Sequence, residues 1–192
     1  MSRLLADKAA IQLAALLTSK MTNVGRAVRV AKEKPNLSLS RLKILIVDDS
    51  SAVRMMLTAL LHTFGINHIV ECSDGAEALR ALEKGSFDLV LTDVSMRPMD
   101  GVEFTRQLRH PESSAAASLP VLFLSSHSER AVVNAALEAG GSDYLVKPIS
   151  RAGLLDKIFS LVGNPRPVVR GYAYWGPDRR RKRRLASSEW KR

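Results

Sequence analysis

The clearest pattern in the chain is the alternation of short apolar runs with amphipathic segments between residues 42 and 163. Five runs rich in Ile, Leu and Val predict buried strands, at about 43–47, 67–72, 87–92, 121–125 and 142–146. The segments that follow them predict helices at about 51–64, 75–84, 101–109, 128–139 and 151–162. Five strand–helix units in succession predict an α/β domain, because right-handed crossovers build a parallel sheet with helices on both faces.

The first of these predicted helices has a well-defined apolar stripe and a stop signal at Gly65. We expect its buried face to consist of Val53, Met56, Leu57, Leu60, Leu61 and Phe64.

The segments on either side of the α/β domain have different patterns. Within residues 1–41, an apolar stripe at Leu13, Leu17, Met21, Val24 and Val28 predicts an amphipathic helix over about 4–32, followed by a linker. Three interpretations of this helix stay open: a dimer or partner helix, a helix packed on its own domain, or a misassigned start. Residues 164–192 begin with a Pro-rich segment that cannot continue a helix and contain little aliphatic content, which predicts a disordered basic tail.

The net charge of +10 is divided unevenly along the chain. Residues 1–43 carry a net charge of +7 and residues 166–192 a net charge of +8, whereas residues 44–165 carry −5. This asymmetry indicates that the two ends are appended segments with partners of their own. The most basic stretch of the tail consists of Arg179, Arg180, Arg181, Lys182, Arg183 and Arg184.

Four interpretations of this basic stretch follow from its charge. It is a solvated segment, or it binds nucleic acid or another polyanion, with Tyr172, Tyr174, Trp175 and Trp190 as stacking groups. Alternatively, it contacts an anionic membrane surface, or it docks across the acidic α/β domain of its own chain.

The number of cysteines and the hydropathy of the chain indicate its cellular compartment. A single cysteine, Cys72, excludes an intramolecular disulfide, fits a reducing cytoplasm, and is expected to be a small buried group. No run approaches the roughly 18 apolar residues of a spanning helix, and Asp7 and Lys8 interrupt the first apolar segment, so we expect a cytoplasmic chain without a cleaved signal. The four histidines have no metal-ligand spacing.

The residues with candidate chemistry follow three of the predicted strands. Asp48 and Asp49 close the first strand, Asp93 closes the third, and Lys147 closes the fifth. The carboxyl ends of parallel strands meet at one edge of the sheet, where α/β proteins bind their ligands. Crowded carboxylates repel one another unless a hard cation such as Mg²⁺ neutralises them, so the pattern predicts a site at this edge.

Four segments within residues 42–163 resemble the receiver domain of two-component response regulators, and in particular the single-domain chemotaxis regulators. The matching segments are VDDS at 47–50, Asp93 through MDG at 99–101, LPVLFLS at 119–125 and YLVKP at 144–148. The resemblance implies a flavodoxin-like, doubly wound sheet of five parallel strands in the order 2-1-3-4-5. It covers about two thirds of the chain and includes neither tail.

The resemblance also implies a role for each site residue. Asp93 would accept a phosphoryl group from a histidine kinase or histidine phosphotransfer protein, and Lys147 and Ser125 would contact phosphoryl oxygens. Asp48, Asp49, Asp93 and the backbone carbonyl of Ser95 would hold Mg²⁺. Ser125 and Tyr144 would form the conformational switch that signals to an unknown downstream protein. A cis peptide before Pro148 would orient Lys147.

The implied activity is self-modification without turnover of a separate substrate. One departure from the family pattern is Arg97, which occupies the usual position of a proline that is displaced here to Pro98. Three alternatives remain: a phosphorelay intermediate, a nucleic-acid-binding regulator acting through its basic tail, and a non-phosphorylated scaffold. A homodimer through the N-terminal helix is a further expectation.

Overall fold

The computed structural model of the protein describes residues 38–111, 117–172 and 174–178. The predicted helix over 4–32 and the basic stretch over 179–184 lie outside the described residues. The central sheet has five parallel strands in the order β2-β1-β3-β4-β5, which confirms the predicted topology. The strands are β1 Lys43–Val47, β2 His68–Cys72, β3 Leu89–Asp93, β4 Val121–Ser125 and β5 Asp143–Val146.

Five α-helices connect and follow these strands, and most begin at a side chain that caps the free N–H groups of the first turn. They are α1 Ser51–His62, α2 Gly75–Lys84, α3 Gly101–Leu108, α4 Arg130–Glu138 and α5 Arg151–Gly163. The capping residues are Ser50, Asp74, Asp100 and Ser150. Because each cap follows the loop that leaves a strand, the caps also fix the loops at the C-terminal edge of the sheet.

Alternate residues of the strands point to opposite faces of the sheet and form two cores. On one face, Ile44 and Ile46 lie in a cluster with side chains of α1 and α5, including Leu57 and Ile158. On the other face, a cluster contains side chains of α2, α3 and α4, among them Ala78, Phe104 and Ala136, together with Leu45, Val47, Val90 and Phe123 of the strands. Both faces are covered by helices, as the near-continuous apolar strands predicted.

The expectation for the buried face of α1 was wrong at Met56. Its side chain is 49% exposed, and Met55 beside it is 71% exposed. Leu57 and Leu61 are fully buried, and Val53, Leu60 and Phe64 pack partly against the same core. The buried stripe of α1 is therefore narrower than the apolar stripe of its sequence.

The prediction of a disordered tail over 164–192 was wrong for residues 168–170 and 175–177. β6 Val168–Arg170 pairs antiparallel with β7 Trp175–Pro177 and forms a small hairpin. The backbone N–H of Trp175 donates a 2.8 Å hydrogen bond to the carbonyl of Arg109, which follows α3. The hairpin is therefore attached to the α/β domain rather than being a free segment.

Among the described residues, no helix has both the length and the apolar character needed to cross a bilayer.

Candidate functional site

The end of β1 places one carboxylate inside the protein and a second at the surface. Asp48 is only 2% exposed, whereas Asp49 is exposed. The Oδ1 atom of Asp48 accepts a 2.9 Å hydrogen bond from the N–H of Ser50, the residue that caps α1. This bond fixes the Asp48 carboxylate at the mouth of the β1–α1 loop.

Lys147 lies after β5 and bridges two carboxylates. Its Nζ atom donates hydrogen bonds of 2.7 Å to Oδ1 of Asp93 and of 3.0 Å to Oδ2 of Asp48. Burial opposes the charge on the ammonium group, but the hydrogen bonds to both aspartates outweigh it and raise the pKa of Lys147. The peptide bond between Lys147 and Pro148 is cis, as expected.

Asp93 ends β3 and is held from two sides. Its Oδ2 atom accepts a 2.8 Å hydrogen bond from the N–H of Ser95, which leaves Oδ1 for Lys147. The first residue of α3, Gly101, approaches the carbonyl oxygen of Asp93 so closely that an added Cβ would overlap it. A glycine is therefore required at position 101 for helix α3 to pack against the end of β3.

The end of β4 supplies a hydroxyl and the start of a loop. Ser125 is 1% exposed, and its Oγ atom accepts a 3.1 Å hydrogen bond from the N–H of His127. The phenol of Tyr144 donates a 2.7 Å hydrogen bond to the carbonyl of His127, and its ring packs on Phe123 with centroids 6.4 Å apart. Ser125 and Tyr144 are therefore joined through the backbone of one loop residue.

These side chains surround one cleft of about 260 Å³ at the C-terminal edge of the sheet. It is lined by Asp48, Asp49, Ser50, Val53, Asp93, Ser95, Ser125, Ser126, His127 and Lys147. The structure thus brings together the residues predicted for phosphoryl and metal contacts. Tyr144 and Pro148 do not line the cleft: Tyr144 belongs to β5, and Pro148 follows this strand.

The donor atoms of the cleft suit Mg²⁺, although they do not form a closed cage. Within the described ranges, no group of three or more His, Cys, Asp or Glu side chains is arranged to hold an ion. Mg²⁺ needs no such cage, because it prefers oxygen ligands and usually retains several waters beside one or two carboxylates. Three aspartates and Ser95 at one cleft provide ligands of this kind.

Sequence reasoning missed Arg54, which supports the cleft from α1. Its guanidinium donates a 2.7 Å hydrogen bond to the backbone carbonyl of Asp48 and a 3.3 Å hydrogen bond to Glu71 on β2. The sequence signal that could have indicated this role is the position of Arg54 in the first turn of α1, because a side chain there lies near the end of β1.

Comparison with known proteins identifies the family. The model of the response regulator receiver domain matches residues 44–159, and the chain belongs to this family. The chain is 41% identical over 121 residues to chemotaxis protein CheY-3 of Vibrio cholerae, covering 62% of this chain and 92% of that protein.

Two solved structures share the fold. One is the receiver domain of the sensor histidine kinase PA1611 from Pseudomonas aeruginosa, with a magnesium ion in its active-site cleft (TM-score 0.59, 27% identity, 64% of this chain and 98% of that one). The other is the CheX–CheY–BeF₃–Mg complex from Borrelia burgdorferi (TM-score 0.56, 30% identity, 62% of this chain and 88% of that one). These similarities support a two-component response regulator.

Proposed function

We propose that Asp93 accepts a phosphoryl group from a phosphohistidine on a partner kinase or phosphotransfer protein. The observation that carries this proposal is the 2.7 Å hydrogen bond from Lys147 to Asp93 within a cleft that Asp48, Asp49 and Ser125 also line. A carboxylate that can act as a nucleophile thus lies beside a cation that can neutralise the incoming charge.

The reaction needs few protein groups. A carboxylate oxygen of Asp93 attacks phosphorus, the P–N bond to the partner imidazole breaks, and an acyl phosphate forms. Asp93 requires no general base, since the carboxylate oxygen is itself the nucleophile. Lys147 stays close to the new phosphoryl oxygens and offsets their charge, so catalysis consists mainly of positioning and charge neutralisation.

Mg²⁺ would be held by Asp48, Asp49, Asp93 and the carbonyl of Ser95. When bound, it would neutralise the carboxylates and the phosphoryl group. Support for the metal comes from the oxygen donors of the cleft and from the magnesium in the related kinase receiver domain.

The signalling step would begin at Ser125. Its hydroxyl accepts a hydrogen bond from the N–H of His127 and would turn to donate to a phosphoryl oxygen. The loop after β4 would then move, and the bond from Tyr144 to the carbonyl of His127 would change with it. The surface formed by α4, β5 and α5 would present this change to a downstream protein.

The proposed unit for this activity is the domain over 42–163, which modifies itself and turns over no separate substrate. Support for a kinase and a downstream partner comes from the similarity to chemotaxis protein CheY-3 and from the related CheY, whose solved structure is a complex with CheX.

The test is intact mass after incubation with a small phosphodonor, with and without Mg²⁺. We expect the native chain to gain one phosphoryl group only with Mg²⁺, and Asp93→Ala to gain none. The matched control is Asp88→Ala, because Asp88 precedes β3 and its carboxylate accepts a hydrogen bond from the N–H of Lys43, away from the cleft. An equal gain in Asp93→Ala, or no gain in a folded native chain, would overturn the proposal.

A further inference from the structure

Arg109 is a buried cation that directly follows α3. Arg109 is 1% exposed, although its side chain is the largest of the fully buried side chains in the described part of the chain. The guanidinium donates hydrogen bonds to the carbonyls of Ala117 (2.9 Å), Leu119 (2.7 Å) and Gly140 (3.2 Å). One side chain therefore joins the end of α3, the start of β4 and the segment that follows α4.

Burial lowers the pKa of Arg109 to about 10, and its hydrogen bond with Tyr174 acts in the opposite direction. The group thus remains charged at neutral pH. A buried charge is tolerated only when its hydrogen bonds are satisfied. Loss of a hydrogen-bond partner of Arg109 is therefore expected to lower the stability of the surrounding structure.

The C-terminal hairpin closes this site. The phenol of Tyr174 contacts the guanidinium and donates a 2.8 Å hydrogen bond to the carbonyl of Pro177. The N–H of Trp175 donates to the carbonyl of Arg109, and the N–H of Asp178 closes the hairpin on the carbonyl of Pro167.

Two glycines let the hairpin and α4 approach the guanidinium. A Cβ at Gly140 would lie 2.7 Å from Cγ of Arg109, and a Cβ at Gly176 would overlap its Cδ. Gly140 also has a positive φ of 113°, which a side chain rarely adopts. The close packing around Arg109 therefore requires glycine at positions 140 and 176.

The hairpin lies at the edge of the sheet opposite to the cleft. The hairpin contacts the residues that follow α3. A helix that connects two parallel strands runs antiparallel to the strands, so the C-terminal end of such a helix lies near the beginning of the next strand. The two edges are separated by the length of a five-residue strand, roughly 17 Å. The described part of the tail thus packs far from Asp93, and it reaches α4 through Gly140.

We propose that residues 164–172 and 174–178 form a clasp that closes on Arg109 and couples this part of the C-terminal tail to the C-terminal end of α4. Opening of the clasp removes packing from Arg109 and loosens its bonds to the carbonyl of Gly140. Because coupling is reciprocal, a ligand of the tail that favours the open clasp shifts α4, and a shift of α4 changes the clasp by the same free energy. This proposal does not depend on phosphorylation of Asp93.

The test is amide hydrogen exchange of the full chain, resolved by residue. Tyr174→Phe removes the hydroxyl that contacts both Arg109 and Pro177. We expect the amide of Trp175, and the amides of Gly140 and Gly141, to exchange about fivefold faster, as loss of one hydrogen bond implies. Tyr172→Phe is the matched control, because Tyr172 is fully exposed, and we expect it to change none of these amides.

A second pair of variants keeps the test independent of the hydroxyl group. Gly176→Ala places a methyl group against Arg109, whereas Gly171→Ala adds one whose nearest neighbour is 3.6 Å away. We expect only Gly176→Ala to accelerate exchange at Trp175, Gly140 and Gly141. Faster exchange at Trp175 with unchanged Gly140 and Gly141 would refute the coupling, and unchanged exchange at all three residues in both test variants would refute the clasp.

Discussion

Lys147 reaches across strand β4 to donate a 2.7 Å hydrogen bond to the carboxylate of Asp93. The two residues are 54 positions apart in the chain and belong to strands that are not neighbours in the sheet. The same ammonium group also contacts Asp48 at the end of β1. Lys147 therefore offsets the repulsion between two aspartates that the fold brings to one edge.

This geometry predicts a kinetic effect for Lys147→Met. The variant lacks the cation that faces the attacked phosphoryl group, and we expect the initial rate of phosphorylation by a small donor to fall about 100-fold. The matched control is Lys157→Met, which removes a 2.6 Å ion pair with Asp143 and leaves the cleft intact. Intact mass over time measures both rates, and a rate within twofold of the native value for Lys147→Met would contradict the prediction.

Gly101→Ala should damage both fold and site. The new methyl group would overlap the carbonyl oxygen of Asp93, a backbone atom that cannot rotate away. We expect the free energy of unfolding to fall by about 1–3 kcal/mol, as in other overpacked sites, and phosphorylation of the folded fraction to slow. Urea unfolding and intact mass measure the two effects.

The control for Gly101→Ala is Gly171→Ala, where the nearest atom is 3.6 Å from the added group. Equal stability of Gly101→Ala and the native chain would show that α3 can shift without cost.

Much of the site could be predicted because its chemistry lies at the ends of recognisable strands. Each of Asp48, Asp93 and Lys147 follows an apolar run, and the parallel topology alone brings such ends together. The conformation of the loops could not be predicted in this way. The link from Tyr144 through His127 to Ser125 depends on backbone atoms, for which side-chain patterns give no signal.

The clasp was missed for a different physical reason. The segment around Trp175 contains few aliphatic residues and many Gly and Pro residues, so by itself it cannot form a core. It becomes ordered against Arg109, and a buried arginine looks in the sequence like any surface cation. Met56 shows the converse, since its apolar side chain satisfies the helical pattern while lying at the surface.

Cys72 predicts a dependence of stability on alkaline pH. Burial, followed by the nearby charges of Glu77 and Asp74, raises the pKa of its thiol from 9.0 to about 12. Below pH 9 the Cys72 thiol keeps its proton in both the folded and the unfolded chain. The stabilising contribution of the buried thiol is therefore fully present in this range. Between pH 9 and 12 only the unfolded chain loses the proton, so the free energy of unfolding falls as pH rises.

The Cys72→Ala variant isolates this effect. We expect the difference in the free energy of unfolding between the native chain and the variant to shrink by about 1.4 kcal/mol between pH 8 and pH 10. This is the free energy of one pH unit, because pH 10 lies one unit above the pKa of the thiol in the unfolded chain. Urea unfolding of both chains at several pH values measures the difference, which cancels the titration of other groups. A difference that stays constant over this range would mean that the thiol is not shielded in the folded protein.

Tyr144→Phe should loosen the loop after β4 and leave phosphorylation intact. The variant retains the ring that packs on Phe123 but loses the 2.7 Å hydrogen bond to the carbonyl of His127. A hydrogen bond of this kind contributes about 1 kcal/mol, so we expect amides in residues 126–129 to exchange about fivefold faster. Because Tyr144 does not line the cleft, the mass gain with Mg²⁺ and a phosphodonor should match that of the native chain. Loss of that gain would place Tyr144 in the chemical step, and unchanged exchange would show that the phenol does not hold the loop.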